Sequence, residues 1–258
     1  NPSSNSVNIY VNTTGSDDGA GSKESPYNSL NKAISSVTET QDTVIYLSEG
    51  TFSGEKNTNL NIDSSGGSLT IIGQGSDKTF IDGKYTGIVF TSMSKNSLVT
   101  LKDIAFVNCN SSTAAQNQAP VITSNAILTI ENCVFENNYG TDAYGAIYQR
   151  SNNLTVINST FKDNSNLNRA GAIRAEGLDN VNLINNTFIN CYGRSSNTQG
   201  SSVYLNSITK ANIVGNKFAN IISNGYDASI YLNSNNGYLI NNTFINCTNQ
   251  RTGYSIVY

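Results

Sequence analysis

The 258-residue chain has no histidine and no tryptophan. The missing histidine removes the commonest general base and the commonest metal ligand. Four cysteines over this length are not a disulfide framework, and no disulfide is expected. Charge is scarce and nearly balanced, 15 basic residues against 18 acidic, so no nucleic-acid footprint is present. No stretch approaches the roughly 20 apolar residues of a membrane span. The opening NPSSNS is no signal peptide and reads as a processed or trimmed start. The closing Ser255–Tyr258 reads as strand, so the expectation is coils that continue or are covered beyond residue 258. What is abundant is asparagine, 41 residues of it.

Most of that asparagine belongs to one repeated sentence. Its clearest copy is Ala126–Gly140, AILTIENCVFENNYG. The copies share Phe106, Phe135, Phe161, Phe188, Phe218 and Phe244, at steps of 29, 26, 27, 30 and 26 residues. Phe80 marks an earlier, less regular copy. A fixed period in this range means stacked repeats, each burying its apolar face against its neighbours.

The chain divides at about residue 67. Residues 1–67 read as an N-terminal cap: the strand Asn8–Val11, a turn-rich loop, a helix over 29–37 and the strand Val44–Leu47. In the helix Leu30, Ala33, Ile34 and Val37 recur at helical spacing, with Ser29 as N-cap. A helix before stacked coils plugs the open end of their core. Residues 68–258 read as the coils.

Aligned on its phenylalanine, each coil explains itself. Seven and five residues earlier stand inward pairs such as Leu128/Ile130 and Val181/Leu183. Three residues earlier runs a column of Asp103, Asn132, Asn158, Asn185 and Asn241; two residues later runs another of Asn108, Asn137, Asp163, Asn190, Asn220 and Asn246. Asn and Asp tolerate the left-handed backbone of a sharp corner, and stacked amides hydrogen-bond along the stack. Two corners imply three strands per coil. The third strand follows each variable loop, with Val121, Ile147, Ile173, Val203 and Ile230 inward and Phe90, Ile122, Tyr148, Arg174, Tyr204 and Tyr231 outward. The expected fold is all-β: a right-handed single-stranded parallel β-helix of three sheets, 26–30 residues per coil, with an N-terminal capping helix.

The cap and coils resemble the pectate-lyase-like β-helix superfamily. Within it they are similar to adhesin-like surface proteins of methanogenic archaea and to the repeats of chlamydial polymorphic outer-membrane proteins, marked by F-x-x-N and G-G-A-[ILV]. Phe135–Asn138 with Gly145–Ile147, and Phe161–Asn164 with Gly171–Ile173, carry that mark, with Tyr144 and Ala170 in place of the first glycine. The other coils prefer Phe-x-Asn-Cys and depart from it. The resemblance implies an extracellular or cell-surface protein. The superfamily hosts lyases, hydrolases, esterases and adhesins alike, so role must be argued from side chains.

Catalytic sets are hard to find. A polygalacturonase-like set needs a Gly-His-Gly and an Asp-Asp pair in the coils, and both are missing. A pectate-lyase-like set needs clustered carboxylates for calcium, whereas Asp142, Asp163, Glu176, Asp179 and Asp227 are scattered. For hydrolysis by two carboxylates, Glu131 and Asp103 come closest but fall on different columns. Cys109, Cys191 and Cys247 share one column at separations too large to pair and, with Cys133, read as buried apolar thiols. Asp17, Asp18 and Glu24 in the first loop are either a calcium site or a solvated turn. No metal and no cofactor are expected.

The outward third-strand stripe and the loops above it carry Tyr139, Tyr144, Tyr148, Arg174, Tyr192, Arg194, Tyr204, Tyr226, Tyr231 and Arg251. Tyrosine and arginine bind partners at low entropic cost; the competing role is aromatic stacking that stiffens the sheet. Of seven glycosylation sequons, Asn12, Asn110 and Asn153 lie outside the inner columns and are the candidate sites. The favoured expectation is a non-catalytic adhesin that binds a glycan or protein of another cell. The alternatives are a self-assembling surface protein whose partners are copies of itself, and a polysaccharide lyase or glycoside hydrolase.

Overall fold

Alternating side chains bury one face only if each neighbouring strand alternates in the same register. The computed structural model, which describes residues 6–250 apart from 39, 65, 113–117, 143, 197 and 227–228, meets this condition coil by coil. Leu128 pairs with Val99 below and Leu154 above, and Phe135 with Phe106 and Phe161, all in parallel ladders. The result is the expected all-β right-handed parallel β-helix.

Its first sheet runs from Val7–Val11 through strands such as Leu98–Lys102 and Ile127–Glu131 to Asn180–Ile184. The second carries the phenylalanines, from Gly50–Ser53 to Thr243–Ile245. The third includes Phe90–Met93, Ile122–Ser124, Ile147–Gln149 and Ile173–Glu176. In the last two described coils the pairing continues through the corner between third and first sheets, which turns at Ser207 with φ 56°. The single strands Val203–Val214 and Ile230–Ile240 run through both sheets, with a register shift between Leu205 and Ile208.

Inside, the phenylalanine rings form one column. Centroids from Phe106 to Phe244 are 5.0, 4.7, 5.1, 4.7 and 5.0 Å apart. The helix spans Leu30–Ser35, shorter than 29–37, with Ser29 as its N-cap. It stops early because the Ser35 and Ser36 hydroxyls both bond Lys32 O at 2.8 Å, competing with the helical ladder. Leu30 and Ala33 join Ile9 and Val11 in the core.

Asp103, Asn108, Asn132, Asn137, Asn158, Asp163, Asn185, Asn190, Asn220, Asn241 and Asn246 all have φ between 49° and 57°. Bonding along these columns is intermittent: Asn132 Nδ2 donates to Asp103 Oδ1 at 3.2 Å and Asn246 Nδ2 to Asn220 Oδ1 at 3.2 Å. The continuous amide ladders lie one residue further on, facing inward. Asn186 takes the Ser159 N–H on its Oδ1 at 2.9 Å, while its Nδ2 bonds Val156 O at 2.9 Å and Asn216 Oδ1 at 3.1 Å. Asn216 repeats this with Asn242, and Asn138 with Asn164 at the other corner. Each buried amide satisfies backbone groups that no strand reaches.

These ladders account for the cysteines. Cys109, Asn138, Asn164, Cys191 and Cys247 share one column, and Cys133 stands below Ser159 and Asn186 in the other. All four thiols are free and buried. Each occupies an amide socket at a layer where the ladder ends or is interrupted, as where Asn164 Nδ2 lies 3.6 Å from Cys191 Sγ. Burial pushes the Cys133 and Cys191 thiols up to about 12.

Three sequence assignments slip by one residue. Ile81, not Phe80, pairs with Phe106 and fills the core, leaving Phe80 half-buried. Phe90 and Ile122 are fully buried and pair with each other, so they point inward; Thr123, not Ile122, is the outward neighbour of Tyr148. A period of two flips every face when the register moves by one.

The Gly-Ala-Ile signature has a steric cause. A Cβ at Gly171 would fall 2.3 Å from the backbone nitrogen of Tyr192, and Gly145 has φ 67°. Both open the third strand where the loop edge folds tightly onto the next coil.

Candidate functional site

On the outer face of the third sheet, strand register puts Tyr148, Arg174, Tyr204 and Tyr231 at successive layers. Parallel stacking brings their side chains within reach of one another. The Arg174 guanidinium lies over Tyr144, Tyr148 and Tyr204, at 4.8, 5.0 and 5.7 Å from their centroids. Tyr144 and Tyr148 are 4.6 Å apart, and Tyr204 and Tyr231 stack at 4.7 Å.

Arg174 is only 8% exposed, and a buried guanidinium requires a counter-charge. Glu176 supplies it: Arg174 Nη2 donates to Glu176 Oε2 at 2.8 Å, and the Tyr148 hydroxyl donates to the same oxygen at 3.3 Å. Burial pushes the Tyr148 hydroxyl above the ordinary tyrosine value; the Arg174 charge opposes this and Glu176 adds to it. Burial raises Tyr204 likewise. These phenols therefore hold their protons.

Among the described residues every arginine rests on a tyrosine. Arg150 lies over Tyr148 at 5.8 Å, Arg169 over Tyr204 at 4.8 Å and Arg194 over Tyr139 at 3.9 Å. Among the described residues the only lysine so placed is Lys32 over Tyr27. A flat guanidinium stacks on rings and still offers its edge to an oxyanion, which a lysine cannot do.

The ten sequence candidates thus separate. Tyr144, Tyr148, Arg174, Tyr204 and Tyr231 form the cluster. Tyr139 and Arg194 form a second contact, with Arg194 also donating to Ser165 Oγ at 2.9 Å and Gly140 O at 2.8 Å. Tyr192 pairs with Ser165 in a short two-stranded ladder. The Tyr226 backbone bonds Thr198 O, apart from the cluster. Arg251 lies outside the described residues. Sequence reasoning missed Glu176, Arg169 and Arg150. The signal for Glu176 was available: two residues beyond Arg174 on a strand is the same face.

The first-loop carboxylate Asp17 is otherwise occupied. Asp17 Oδ1 accepts from Asn28 N and Ser29 N, and Oδ2 from Lys56 Nζ at 2.9 Å, so this carboxylate braces the helix start. Asp18 and Glu24 are exposed, and among the described residues no group of three His, Cys, Asp or Glu side chains converges for a metal. The sequons at Asn12 and Asn110 are both Asx turns, accepting from Thr14 N and Ser112 N, while Asn153 Oδ1 accepts from Asn180 Nδ2. No helix among the described residues is long and apolar enough to cross a membrane.

No protein-family model and no curated protein matches this chain. Among solved structures it is similar to a family PL6 alginate lyase, at 16% identity and a TM-score of 0.49, over 100% of this chain and 40% of that one. It is also similar to a rhamnogalacturonan lyase, at 12% identity and a TM-score of 0.44, over 93% of this chain and 74% of that one. The chain therefore spans about two fifths of the alginate lyase it matches. At this identity the likeness is one of fold alone, a parallel β-helix. Both named neighbours are polysaccharide lyases and neither is an adhesin, so the expectations of a non-catalytic adhesin and of no enzyme activity are not upheld.

Proposed function

We propose that the outer face of the third sheet binds an acidic polysaccharide and cleaves it by β-elimination. The observation that carries this reading is the Tyr148–Glu176–Arg174 cluster, rimmed by Arg150 and Arg169. Tyrosine faces suit sugar rings, and guanidinium edges suit uronate carboxylates. Glu176 is the one carboxylate in the cluster, whereas glycoside hydrolysis needs two across the scissile bond. One carboxylate beside a protonated phenol suits elimination.

In that reaction Arg169 and Arg150 pair with the uronate carboxylate and acidify the neighbouring C–H bond. Glu176 removes that proton. The C–O bond to the departing sugar breaks, and the Tyr148 hydroxyl protonates the leaving oxygen. Glu176 and the Tyr148 oxygen are 3.3 Å apart, so the captured proton returns to the tyrosinate and the site is reset. A polymer of this kind is met outside the cell, so the reading carries an extracellular or cell-surface location.

The test is incubation with alginate, polygalacturonate and a neutral glucan, following the near-ultraviolet absorbance of unsaturated uronate ends. One uronate polymer should yield product, and Tyr148→Phe should slow it by about 10²–10⁴-fold. No product from either uronate polymer, or an undiminished rate in Tyr148→Phe, overturns the reading.

A further inference from the structure

At the corner after the phenylalanine column, side-chain bonding runs in pairs that leave Asn137 out. Asn108 Nδ2 donates to Asp82 Oδ1 at 3.2 Å, and Asn190 Nδ2 to Asp163 Oδ1 at 2.7 Å. Asn137 stands between these two pairs, exposed, and its side-chain amide bonds to none of the described residues. Two donors and an acceptor are thus left facing outward.

They open onto a cleft of about 350 Å³ lined by Tyr85, Asn110, Asn137, Tyr139 and Asp163. Tyr85 is 57% exposed and Tyr139 39%, and neither phenol hydroxyl bonds to a described residue. Tyr85 has φ 58°, a backbone region that bulky residues avoid. Its N–H on Asn108 O at 2.7 Å fixes it there, and the ring stands out over the cleft. The Arg194 guanidinium lies over the Tyr139 ring at 3.9 Å. Asn110 spends its Oδ1 on Ser112 N at 2.8 Å.

We propose that this cleft is a binding subsite for a neutral pyranose. Exposed tyrosine faces take the apolar C–H face of a sugar ring, and an uncommitted amide beside a carboxylate reads its hydroxyls. The Asp163 carboxylate lines the cleft with its charge offset by Lys162 Nζ at 3.7 Å, so it serves as an acceptor for a sugar hydroxyl. The volume lies within the range of small-molecule sites. The cleft shares no residue with the Arg174 cluster, so the subsite stands independently of the lyase reading.

The chain has no tryptophan, so tyrosine emission reports directly on ligand stacking. The probes are cellohexaose, mannohexaose and galactohexaose, with an oligogalacturonate as contrast. At least one neutral hexasaccharide should bind saturably. Its affinity should fall about tenfold or more in Tyr85→Ala and in Asn137→Gly. Glycine at 137 retains the left-handed backbone while removing the amide, so the melting temperature should hold. Binding should be unaltered in Arg169→Ala and Tyr148→Phe. Absence of saturable binding by all three neutral probes, equal binding in Tyr85→Ala and Asn137→Gly, or binding lost in Arg169→Ala would each overturn the subsite. The lyase reading fails separately, on product formation.

Discussion

At the corner before each phenylalanine, Ser159, Asn186, Asn216 and Asn242 repeat one bonding scheme layer after layer. On the third side, at matching heights, Tyr148, Arg174, Tyr204 and Tyr231 are held by ring stacking and one ion pair. The difference follows from what each must satisfy. Inside a corner, backbone N–H and C=O groups have no strand partner, and an amide of one length in one place is the solution. Outside the third sheet the ladder already satisfies the backbone, so side chains are free to vary. Regularity marks framework here, and irregularity marks the surface available for chemistry.

The largest test removes a ladder amide. Asn186→Ala leaves buried backbone groups at Ser159 and Val156 without partners and should cost about 3 kcal/mol. Denaturant unfolding measures this; a loss no larger than at an exposed position would break the contrast. Next comes the neighbouring turn residue. Asn158→Ala forces alanine to φ 51° and should cost about 1 kcal/mol, whereas Asn158→Gly should be close to neutral. On the third side, Arg169→Ala should cost under about 1 kcal/mol in stability while weakening cleavage of the uronate polymer. Destabilisation as large as that of Asn186→Ala would make this side framework too.

The smallest expected effect is an acid step in the N-terminal coils. Burial tends to raise Asp82, but bonds from Lys84 and Asn108 and the Lys84 charge overcome it and hold its carboxyl below the usual range. Asp17 is lowered in the same way by Lys56, Ser29 and Asn28. A carboxyl depressed in the folded state stabilises above its unfolded value of about 3.9, and that contribution is lost as pH falls through the folded value. Melting temperatures between pH 6 and pH 2 should therefore decline, and decline less in Asp82→Asn.

The same contrast explains what the sequence made legible. Each corner asparagine stood at a fixed distance from a phenylalanine, so the left-handed columns could be read directly. The buried ladder was hidden because its members sit beside the corner residues, as in Asn185-Asn186 and Asn241-Asn242, and the pair reads as one feature. The cysteines were recognised as buried, but their place in the amide sockets needed the structure. Phe80, Phe90 and Ile122 were misplaced where the early coils lack these spacing marks, and a one-residue slip inverts a strand. The tyrosine stripe was visible from alternation alone. Its Glu176 partner was passed over as one of several scattered acids, though alternation placed it on the same face as Arg174. The aromatic–amide cleft was not visible at all, because Tyr85 and Tyr139 reach it from coils two layers apart.

The long strands Val203–Val214 and Ile230–Ile240 have a mechanical consequence. Where a corner separates two sheets, each side of the prism flexes on its own turn. Where one strand crosses from the third sheet into the first, the turn is made within the hydrogen-bonded ladder, around Ser207, and the two sheets stay joined through the corner. A long polymer held on the third side would be dragged by flow or by its own tangling. At the C-terminal coils that tension would pass through the paired corner into the first sheet, whereas the coils before them turn there through short loops.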